Sequence, residues 1–221
     1  MPHAHDNRIA VIDYGAGNLF SVVRALAHLG AQVTVADGPA ALAAAPRAIL
    51  PGVGAFGEAM AQLTDRGLVP AIRDFVAAGR PFLGICLGMQ LLFSASEEFG
   101  LHAGLDLLAG RVTRLASRQD AQGYRLKVPH VGWNRVLITP EGRTSAAALL
   151  AGIPDGRFFY FVHSFVAKPA DPTWQAAVSR YGDQTFCSLV ARDRLFGCQF
   201  HPERSGALGL AVYRNFLTLA G

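Results

Sequence analysis

The sequence lacks the features that mark several classes of protein. It has three cysteines in 221 residues and no CxxC pair, so it indicates neither a disulfide framework nor a short-spaced zinc or redox site. No apolar run approaches the roughly 18 residues that cross a bilayer, and the N-terminus has no basic stretch followed by an apolar one. These absences predict a soluble cytoplasmic protein with no membrane association.

Long runs of Lys and Arg are also missing. The formal net charge is +4, but the basic residues are scattered singly, which is typical of a solvated surface and predicts no nucleic-acid partner. Hydrophobic residues make up 51% of the chain and are spread along it, which predicts one domain over residues 8–221. Residues 1–7, MPHAHDN, carry no apolar pattern and are expected to form a loose tail.

The first half of the chain alternates strand-like and helix-like segments. The predicted strands are RIAVIDYG, AQVTVAD, RAIL and PFLGIC, and the predicted helices are NLFSVVRALAHLG, EAMAQLTDRG, VPAIRDFVAAG and LGMQLLFSASEEF. In the first helix Asn18 is placed to cap the N-terminus and Gly30 to end the helix. The apolar face of this helix is formed by Leu19, Val22, Leu26 and Leu29.

From about Gly110 the pattern changes to strand-like runs separated by short polar turns. These runs are RVTRL, RLKVPHVGWNRVLI, GRFFYFVHSFVAK, WQAAVSRYG, QTFCSLVARD and RLFGCQF, and the helix GALGLAVYRNFLTLA follows them. The whole pattern predicts an α/β fold. Its open, mostly parallel mixed sheet would carry helices on both faces and an antiparallel portion in the second half.

Cys86 is the one cysteine placed where chemistry could occur. GICLG, Gly84 to Gly88, lies where a strand gives way to a helix, and a tight turn there forces the side chain outward, as in a nucleophile elbow. The following helix would turn its positive end and the N–H of Leu87 toward the sulfur. A buried cysteine between glycines that allow close packing is an equally supported reading. Cys187 and Cys198 lie within strand-like runs and are expected to be buried thiols.

A nucleophilic cysteine requires a base, and FHPERS at 200–205 supplies a candidate. His201 follows a predicted strand, and Glu203 stands two residues further on, where a carboxylate can orient the imidazole. His130 and His163 are candidates for core or cavity-lining positions. The other histidines have no acidic or thiol neighbour that the sequence justifies, and they are His3, His5, His28 and His102.

GICLGMQ followed by HPE, with PGVGAF before both, resembles the class I glutamine amidotransferases. Members of that family hydrolyse glutamine with a Cys-His-Glu triad and pass on the ammonia. DYGAGN, PHVGWN and YFVHSF extend the likeness, from about Arg8 to the C-terminal helix, to the glutaminase subunits of imidazole glycerol phosphate synthase. The resemblance therefore implies a glutaminase subunit of histidine biosynthesis.

The resemblance implies a role for each motif residue. Cys86 would attack the glutamine amide, His201 would carry the proton to the leaving ammonia, and Glu203 would orient His201. The implied oxyanion hole is Gly52, Val53 and Leu87, completed when the Gly52–Val53 peptide rotates upon binding of the partner's ligand. The implied substrate contacts are Gln90, Glu98 on the same helix, His163, Ser164 and Phe165. From the residues alone, Gln90 and Glu98 are equally ordinary helix-surface groups.

No nucleotide site or ammonia acceptor is recognisable, since GAGN lacks the further glycine spacing and PGVGAFG lacks a lysine. The resemblance places the acceptor on a second chain, a (β/α)₈-barrel cyclase. This cyclase acts on phosphoribulosyl aminoimidazole carboxamide ribonucleotide to make imidazole glycerol phosphate and AICAR. The implied partner is a heterodimer subunit, and no cofactor or metal is implied.

The implied docking residues are Asn18, Trp133, Asn134, Tyr160 and Arg204, although a core position suits Trp133 equally well. Phe165 stands where the family pattern has tyrosine, and Ala16 stands where it has proline.

Three functions are compatible with the sequence. The first is the partner-activated glutaminase subunit, in this synthase or in another ammonia-using one. The second is a free-standing cysteine hydrolase of γ-glutamyl compounds, which would need no partner for full activity. The third is a non-catalytic binding subunit, against which the presence of Cys86, His201 and Glu203 together argues.

Overall fold

The computed structural model describes residues 6–15, 18–116, 123 and 125–219. Ala16 and most of the predicted tail, residues 1–5, lie outside the described residues. The strands are β1 (Arg8–Ile12), β2 (Gln32–Ala36), β3 (Ala48–Leu50), β4 (Phe82–Ile85), β5 (Phe93–Ser96), β6 (His102–Ala103), β7 (Leu108–Arg114), β8 (His130–Ile138), β9 (Arg157–His163), β10 (Phe165–Pro169), β11 (Gln175–Tyr181), β12 (Gln184–Arg192) and β13 (Leu195–Cys198). The α-helices are α1 (Leu19–His28), α2 (Pro39–Ala43), α3 (Phe56–Asp65), α4 (Leu68–Ala77), α5 (Leu87–Leu91), α6 (Gly142–Ser145) and α7 (Gly206–Thr218).

A nine-stranded sheet in the order β2-β1-β3-β4-β13-β12-β11-β8-β9 forms the centre of the fold. The pairings from β2 to β13 are parallel, and the pairings from β13 to β9 are antiparallel. The predicted α/β fold, with its antiparallel portion in the second half, is confirmed. The last strand of the chain, β13, lies between β4 and β12 and joins the two portions.

Successive residues of the buried strands face opposite sides of this sheet. Ile9 and Val11 belong to one apolar cluster, with residues of α1 and α7. Ala10 and Ile12 belong to a second cluster, with residues of α3 and α4. Helices therefore cover both faces, which explains why the parallel strands are apolar at nearly every position instead of at alternate ones.

Helix α1 confirms the predicted apolar face, since Val22 and Leu26 are fully buried and Leu19 and Leu29 pack beside them. The predicted capping role of Asn18 is wrong. Asn18 occupies the N-cap position with a φ of 74°, but its side chain makes no hydrogen bond to the first turn. The amide turns instead toward Glu203, because a partner distant in sequence has displaced the local cap.

The prediction of one long helix from Leu87 is also wrong. Helix α5 ends at Leu91, and the chain then forms β5. This strand pairs with β6 and β7 in a second, four-stranded sheet of order β10-β7-β5-β6. The apolar run LLF suits either element, and Phe93, fully buried beside Leu108, is held in the extended form by strand pairing. Glu98 is consequently not on the helix that follows Cys86.

Candidate active site

Two neighbouring parallel strands deliver the predicted catalytic residues to one edge of the main sheet. Strand β4 ends one residue before Cys86, and β13 ends three residues before His201. Ile85 pairs with Cys198, and the backbone N–H of Cys86 donates to the Cys198 carbonyl at 2.7 Å. Ligand sites of open α/β sheets lie at the carboxyl ends of such strands.

The turn at Cys86 is a strained strand-to-helix elbow. Cys86 has a φ of 53° and a ψ of −108°, a backbone conformation that L residues adopt at an energetic cost. A side chain at Gly84 would collide with the backbone of Gly88, and one at Gly88 would overlap the Leu50 carbonyl. The glycines therefore allow α5 to pack directly on the strands while the thiol leaves the turn. Helix α5 has only five residues, so its dipole is small.

Cys187 and Cys198 are buried free thiols, as predicted. Cys86 is 6% exposed and faces a cavity. Its sulfur is 3.7 Å from the Val162 carbonyl oxygen, to which the S–H donates.

His201 and Glu203 form a buried hydrogen-bonded pair. The imidazole Nδ1 lies 2.8 Å from Glu203 Oε1, and the two side chains are 2% and 0% exposed. A carboxylate can only accept, so Nδ1 carries hydrogen and Nε2 is the atom left for proton transfer. His201 is fixed by its backbone N–H, which donates to the Tyr160 carbonyl at 2.9 Å.

Burial opposes a charge on His201, but hydrogen bonding and charge interactions with Cys86 and Glu203 outweigh it and raise the pKa of His201 to about 10. Within the described residues Nε2 makes no hydrogen bond of acceptable distance and angle, yet it is close enough to Cys86 for the sulfur to favour the imidazolium. Burial also opposes ionisation of Glu203, but the hydrogen bond and charge of His201 lower the pKa of Glu203. The imidazolium is thus stabilised on both sides.

A cavity of about 270 Å³ collects most of the residues predicted for the site. It lies at the lower end of the size range of small-molecule pockets. Its lining comprises Val53, Gly54, Cys86, Leu87, Gln90, Glu98, Pro129, Val162, His163, Ser164 and Phe165. All five predicted substrate contacts are therefore at the nucleophile, including Glu98, whose carboxylate accepts a hydrogen bond from the Phe56 backbone N–H at 2.7 Å.

Comparison with known proteins agrees with this geometry. The family model "Glutamine amidotransferase class-I" matches residues 10–219. The chain belongs to the class I glutamine amidotransferase family. It is 51% identical over 208 residues to the imidazole glycerol phosphate synthase subunit HisH of Moorella thermoacetica, covering 94% of this chain and 93% of that one. It is 48% identical over 211 residues to HisH of Thermosynechococcus vestitus, with 96% of each chain covered.

The fold also agrees with two solved structures. A crystal structure of a glutamine amidotransferase superposes with a TM-score of 0.69 at 19% identity, covering 95% of this chain and 98% of that one. The glutaminase domain of Trypanosoma brucei CTPS superposes with a TM-score of 0.64 at 19% identity, covering 95% and 91%. These two likenesses concern the fold alone, and the family predicted from the sequence motifs is confirmed by the family model and the HisH relatives.

In this amidotransferase, Glu203 has more partners than sequence reasoning found. Asn18 donates to the same carboxylate oxygen as His201, and the Tyr213 hydroxyl lies 3.2 Å from the other oxygen. Ser205 holds the turn between the two triad residues, because its hydroxyl donates to the His201 carbonyl at 2.6 Å. Tyr213 lies on α7, ten residues from Glu203, and the sequence offered no signal for this contact.

The three residues predicted for the oxyanion hole do not all line the cavity. Val53 and Leu87 line the cavity, whereas Gly52 is not one of its lining residues. A side chain at Gly52 would overlap the hydroxyl of Tyr14 and approach Leu87 Cβ at 3.0 Å. Tyr14 is 1% exposed, and among the described residues its hydroxyl has no hydrogen-bond partner. Burial, and then the charge of Cys86, raise the pKa of Tyr14.

Gln90 is 5% exposed and thus not a helix-surface amide. Its Nε2 donates to the Phe165 carbonyl and to Gln199 Oε1, at 3.0 Å in each case. Gln199 in turn donates from Nε2 to the sulfur of Cys86 at 3.6 Å. Sequence reasoning missed Gln199, although it stands two residues before the triad histidine.

His130 and His163 form a buried pair at the cavity, which His163 lines, with His130 Nδ1 and His163 Nε2 3.0 Å apart. Burial lowers the pKa of His130 to about 4. Burial and the neighbouring His130 lower the pKa of His163 to about 3. Both histidines are therefore neutral in the folded protein near pH 7, and neither competes with His201 as the base.

The residues predicted for docking divide into two groups. Trp133 is 55% exposed, which excludes a core position, and its ring meets Tyr160 edge-on at 6.2 Å. Arg204 stacks over Tyr160 at 5.6 Å. We call the exposed outer side of β8 and β9, with Val131, Trp133, Phe158, Tyr160 and Arg204, the β8–β9 face. In contrast, the amides of Asn18 and Asn134 are engaged within the chain.

A larger cavity of about 1210 Å³ is lined by residues that include Arg114, Lys127 and Tyr181, but it contains none of the predicted catalytic residues. No helix in the described part of the chain is long and apolar enough to cross a membrane. Across residues 6–15, 18–116, 123 and 125–219, no three His, Cys, Asp or Glu side chains are grouped so as to hold a metal ion.

Proposed function

We propose that this amidotransferase is the glutaminase subunit of imidazole glycerol phosphate synthase, acting in histidine biosynthesis. Two HisH relatives are about half identical to it over nearly their whole lengths. The observation that carries the proposal is the position of His201, which interacts with Cys86 at the cavity on one side and is hydrogen-bonded to Glu203 on the other. The match of the family model to residues 10–219 supports a single domain that begins near residue 8.

The reaction begins with attack of the Cys86 sulfur on the side-chain carbonyl of glutamine. The proton of the thiol passes to His201 Nε2, and the carbonyl oxygen becomes an oxyanion. Collapse of this intermediate breaks the C–N bond, and His201 returns the proton to the leaving nitrogen, which departs as ammonia. Water then cleaves the thioester and yields glutamate, with His201 as its base. Glu203 keeps Nδ1 protonated throughout and leaves Nε2 for both transfers.

The oxyanion needs preorganised N–H donors. Leu87 supplies one, because it begins α5 directly after Cys86 and lines the cavity. Val53 supplies the second when the Gly52–Val53 peptide rotates, which we assign to the state in which the partner holds its ligand. One such donor is worth roughly two to three orders of magnitude in rate. Hydrolysis is thereby restricted to moments when an acceptor for ammonia is present.

The substrate is held by other groups that line the cavity, among them Gln90, Glu98 and Phe165. Both amide hydrogens of Gln90 are directed to protein oxygens, so its own oxygen is the atom offered to the substrate. Glu98 supplies a negative charge for the glutamine ammonium group. Phe165 has no hydroxyl, so its contribution is limited to its ring and backbone.

The β8–β9 face is the docking surface for the (β/α)₈-barrel cyclase in a cytoplasmic heterodimer. It combines exposed aromatic rings with an arginine, the composition typical of interface anchors. Val162 on β9 lines the cavity and contacts the Cys86 sulfur through its carbonyl. A partner seated on this face therefore stands beside the point where ammonia is released. The synthase as a whole would then combine glutaminase and lyase chemistry.

Glutamate release from glutamine tests this proposal. The purified chain is assayed alone, with the cyclase, and with the cyclase loaded with its ribonucleotide. A large rise on loading supports the partner-activated subunit, and Cys86→Ala should reduce the stimulated rate by about 10⁴-fold or more. A high rate that the cyclase does not change would indicate a free-standing hydrolase. Undiminished hydrolysis by Cys86→Ala would overturn the assignment of the nucleophile.

A further inference from the structure

A buried glutamine joins the nucleophile to the substrate-binding side of the cavity. Gln199 is fully buried, and its Nε2 donates to the Cys86 sulfur at 3.6 Å while its Oε1 accepts from Gln90 Nε2 at 3.0 Å. Because an amide oxygen can only accept, the bond from Gln90 fixes which end of Gln199 faces the sulfur. The Gln199 backbone is fixed as well, since its N–H donates to the Ser188 carbonyl at 3.0 Å.

The Phe165 carbonyl, which accepts from Gln90, is also the end of a second chain of hydrogen bonds. The Phe165 carbonyl accepts from Gln90 Nε2 and from His163 Nδ1, both at 3.0 Å. Nδ1 of His163 must therefore carry hydrogen, and its Nε2 accepts from His130 Nδ1. His130 Nε2 then accepts from the Asn134 amide at 3.4 Å. The donors of Asn134, His130 and His163 therefore all point from β8 toward the Phe165 carbonyl, which fixes that oxygen as the acceptor for Gln90.

Besides its interaction with His201, the sulfur makes two hydrogen bonds, one as donor and one as acceptor. As a thiol, Cys86 donates to the Val162 carbonyl at 3.7 Å, and that contact loses its donor when the proton leaves. The N–H of Gln199 becomes more favourable at the same moment, because hydrogen bonds to an ionised acceptor are stronger than neutral ones. A buried donor held by a fixed network thus favours the thiolate over the thiol.

We propose that Gln199 is a positioning residue that stabilises the thiolate of Cys86 and holds the sulfur in register with Gln90. The inference deepens the proposed function, on which it rests for the role of Cys86 as nucleophile. Gln199 does not touch the reacting carbonyl. It acts through the sulfur and through Gln90, and so couples the state of the nucleophile to the wall that binds the substrate.

Alkylation of the full-length chain by iodoacetamide across a pH series tests the inference. Mass spectrometry of the peptide that contains Cys86 separates its modification from that of Cys187 and Cys198. Gln199→Met keeps the approximate volume and removes the donor, so the midpoint of the rate against pH should rise by about one pH unit. Gln199→Glu places a carboxylate beside the sulfur, and its midpoint should rise further.

Ser188→Ala is the matched control. Ser188 is fully buried on β12 next to Gln199, and among the described residues its hydroxyl has no hydrogen-bond partner, so this change alters local packing without removing a contact to sulfur. Its midpoint should equal that of the unaltered chain. Thermal unfolding identifies the variants that fold, and the near-isosteric Gln199→Glu serves if Gln199→Met does not.

Equal midpoints in the unaltered chain and the folded Gln199 variants would overturn the inference, and so would an equal rise in Ser188→Ala. The alkylation test needs neither glutamine nor cyclase. A shift in midpoint without cyclase-stimulated hydrolysis would therefore sustain the role of Gln199 while the proposed function failed. Cyclase-stimulated hydrolysis together with unchanged alkylation midpoints in the Gln199 variants would support the proposed function and overturn the role of Gln199.

Discussion

The amide of Asn18 and the carboxylate of Glu203 are hydrogen-bonded although 185 residues separate them in the chain. Asn18 shares Oε1 of Glu203 with His201, so the loop before α1 takes part in orienting the base that we propose. This contact also favours the ionised form of Glu203, because a carboxylate accepts hydrogen bonds more strongly than a carboxylic acid does.

Asn18→Ala should lower kcat for stimulated glutamine hydrolysis by about tenfold, since one hydrogen bond to a charged group is worth about 1.5 kcal/mol or more. Asn18→Asp should lower it further, because a second carboxylate would face Glu203. Both rates are measured with cyclase at saturation, and the cyclase Kd is measured in parallel because the family likeness also implies Asn18 in docking. An unchanged kcat would contradict the role in orientation.

Gly52→Ala should destabilise the protein by about 1–3 kcal/mol, because its methyl group would overlap the Tyr14 hydroxyl. It should also reduce the stimulated rate of hydrolysis by hindering rotation of the Gly52–Val53 peptide. Gly38→Ala is the control, since a methyl group there has no neighbour within 4 Å. Full stimulation of a folded Gly52→Ala chain would argue against rotation.

Tyr14→Phe should leave stability unchanged or raise it, because the hydroxyl it removes has no partner among the described residues. Combined with Gly52→Ala it should recover part of the lost stability, a coupling of about 1 kcal/mol in a double-mutant cycle of unfolding free energies. The stimulated rate should stay low in the double variant. Recovery of both quantities would mean that the overlap alone, and not rotation, limits Gly52→Ala.

Stability should fall as the pH is lowered from about 6.5 to 5. The pKa values of His130 and His163 are lowered to about 4 and about 3, so in this range the unfolded chain binds more protons than the folded one. The stability that the two neutral histidines contribute is fully present above pH 6.5 and is lost as the pH falls toward their folded-state pKa values. At pH 5 the loss is at most about 2 kcal/mol per histidine. His130→Gln should flatten the pH dependence of chemical unfolding, and an unchanged slope would contradict this origin.

Trp133→Ala should weaken binding of the cyclase by roughly 30-fold or more, as expected for an aromatic interface anchor. Its effect on the unfolding free energy should be small, because the ring is 55% exposed. Val35→Ala is the control, since Val35 is 43% exposed on β2, at the opposite edge of the main sheet from β9. Equal affinities for the two variants, measured by calorimetry, would place the partner elsewhere.

The sequence allowed the main architecture and the meeting of distant motifs to be predicted. The positions of Cys86 and His201 after predicted strands made each a candidate, and the resemblance to the family joined them in one site. The motifs supplied the other residues of the site. Two of them, Leu83–Phe93 around Cys86 and Phe200–Ser205 around His201, are each short and continuous in the sequence. The parallel pairing of β13 with β4, which brings the two motifs to the same edge of the sheet, was not predicted.

Other features depend on contacts that local pattern does not encode. Phe93 follows a helix in an apolar run that fits either element, and only pairing with Leu108 makes it a strand. Asn18 has the chemistry of a cap but binds Glu203. Gln199, two residues before His201, gave no sign of a functional role, because its partners Cys86 and Gln90 lie more than 100 residues away in the sequence. In each case a long-range partner outweighed a local preference.

The position of β13 between β4 and β12 also bears on when the protein becomes active during its synthesis. Cys86 and Gln199 are separated by 113 residues, and contacts between such distant segments form late because a long loop must close first. A growing chain on the ribosome can build the first parallel strands around Cys86, but it lacks His201, the base that we propose, until the last strand has emerged and inserted. The proposed mechanism therefore predicts that unfinished chains do not hydrolyse glutamine.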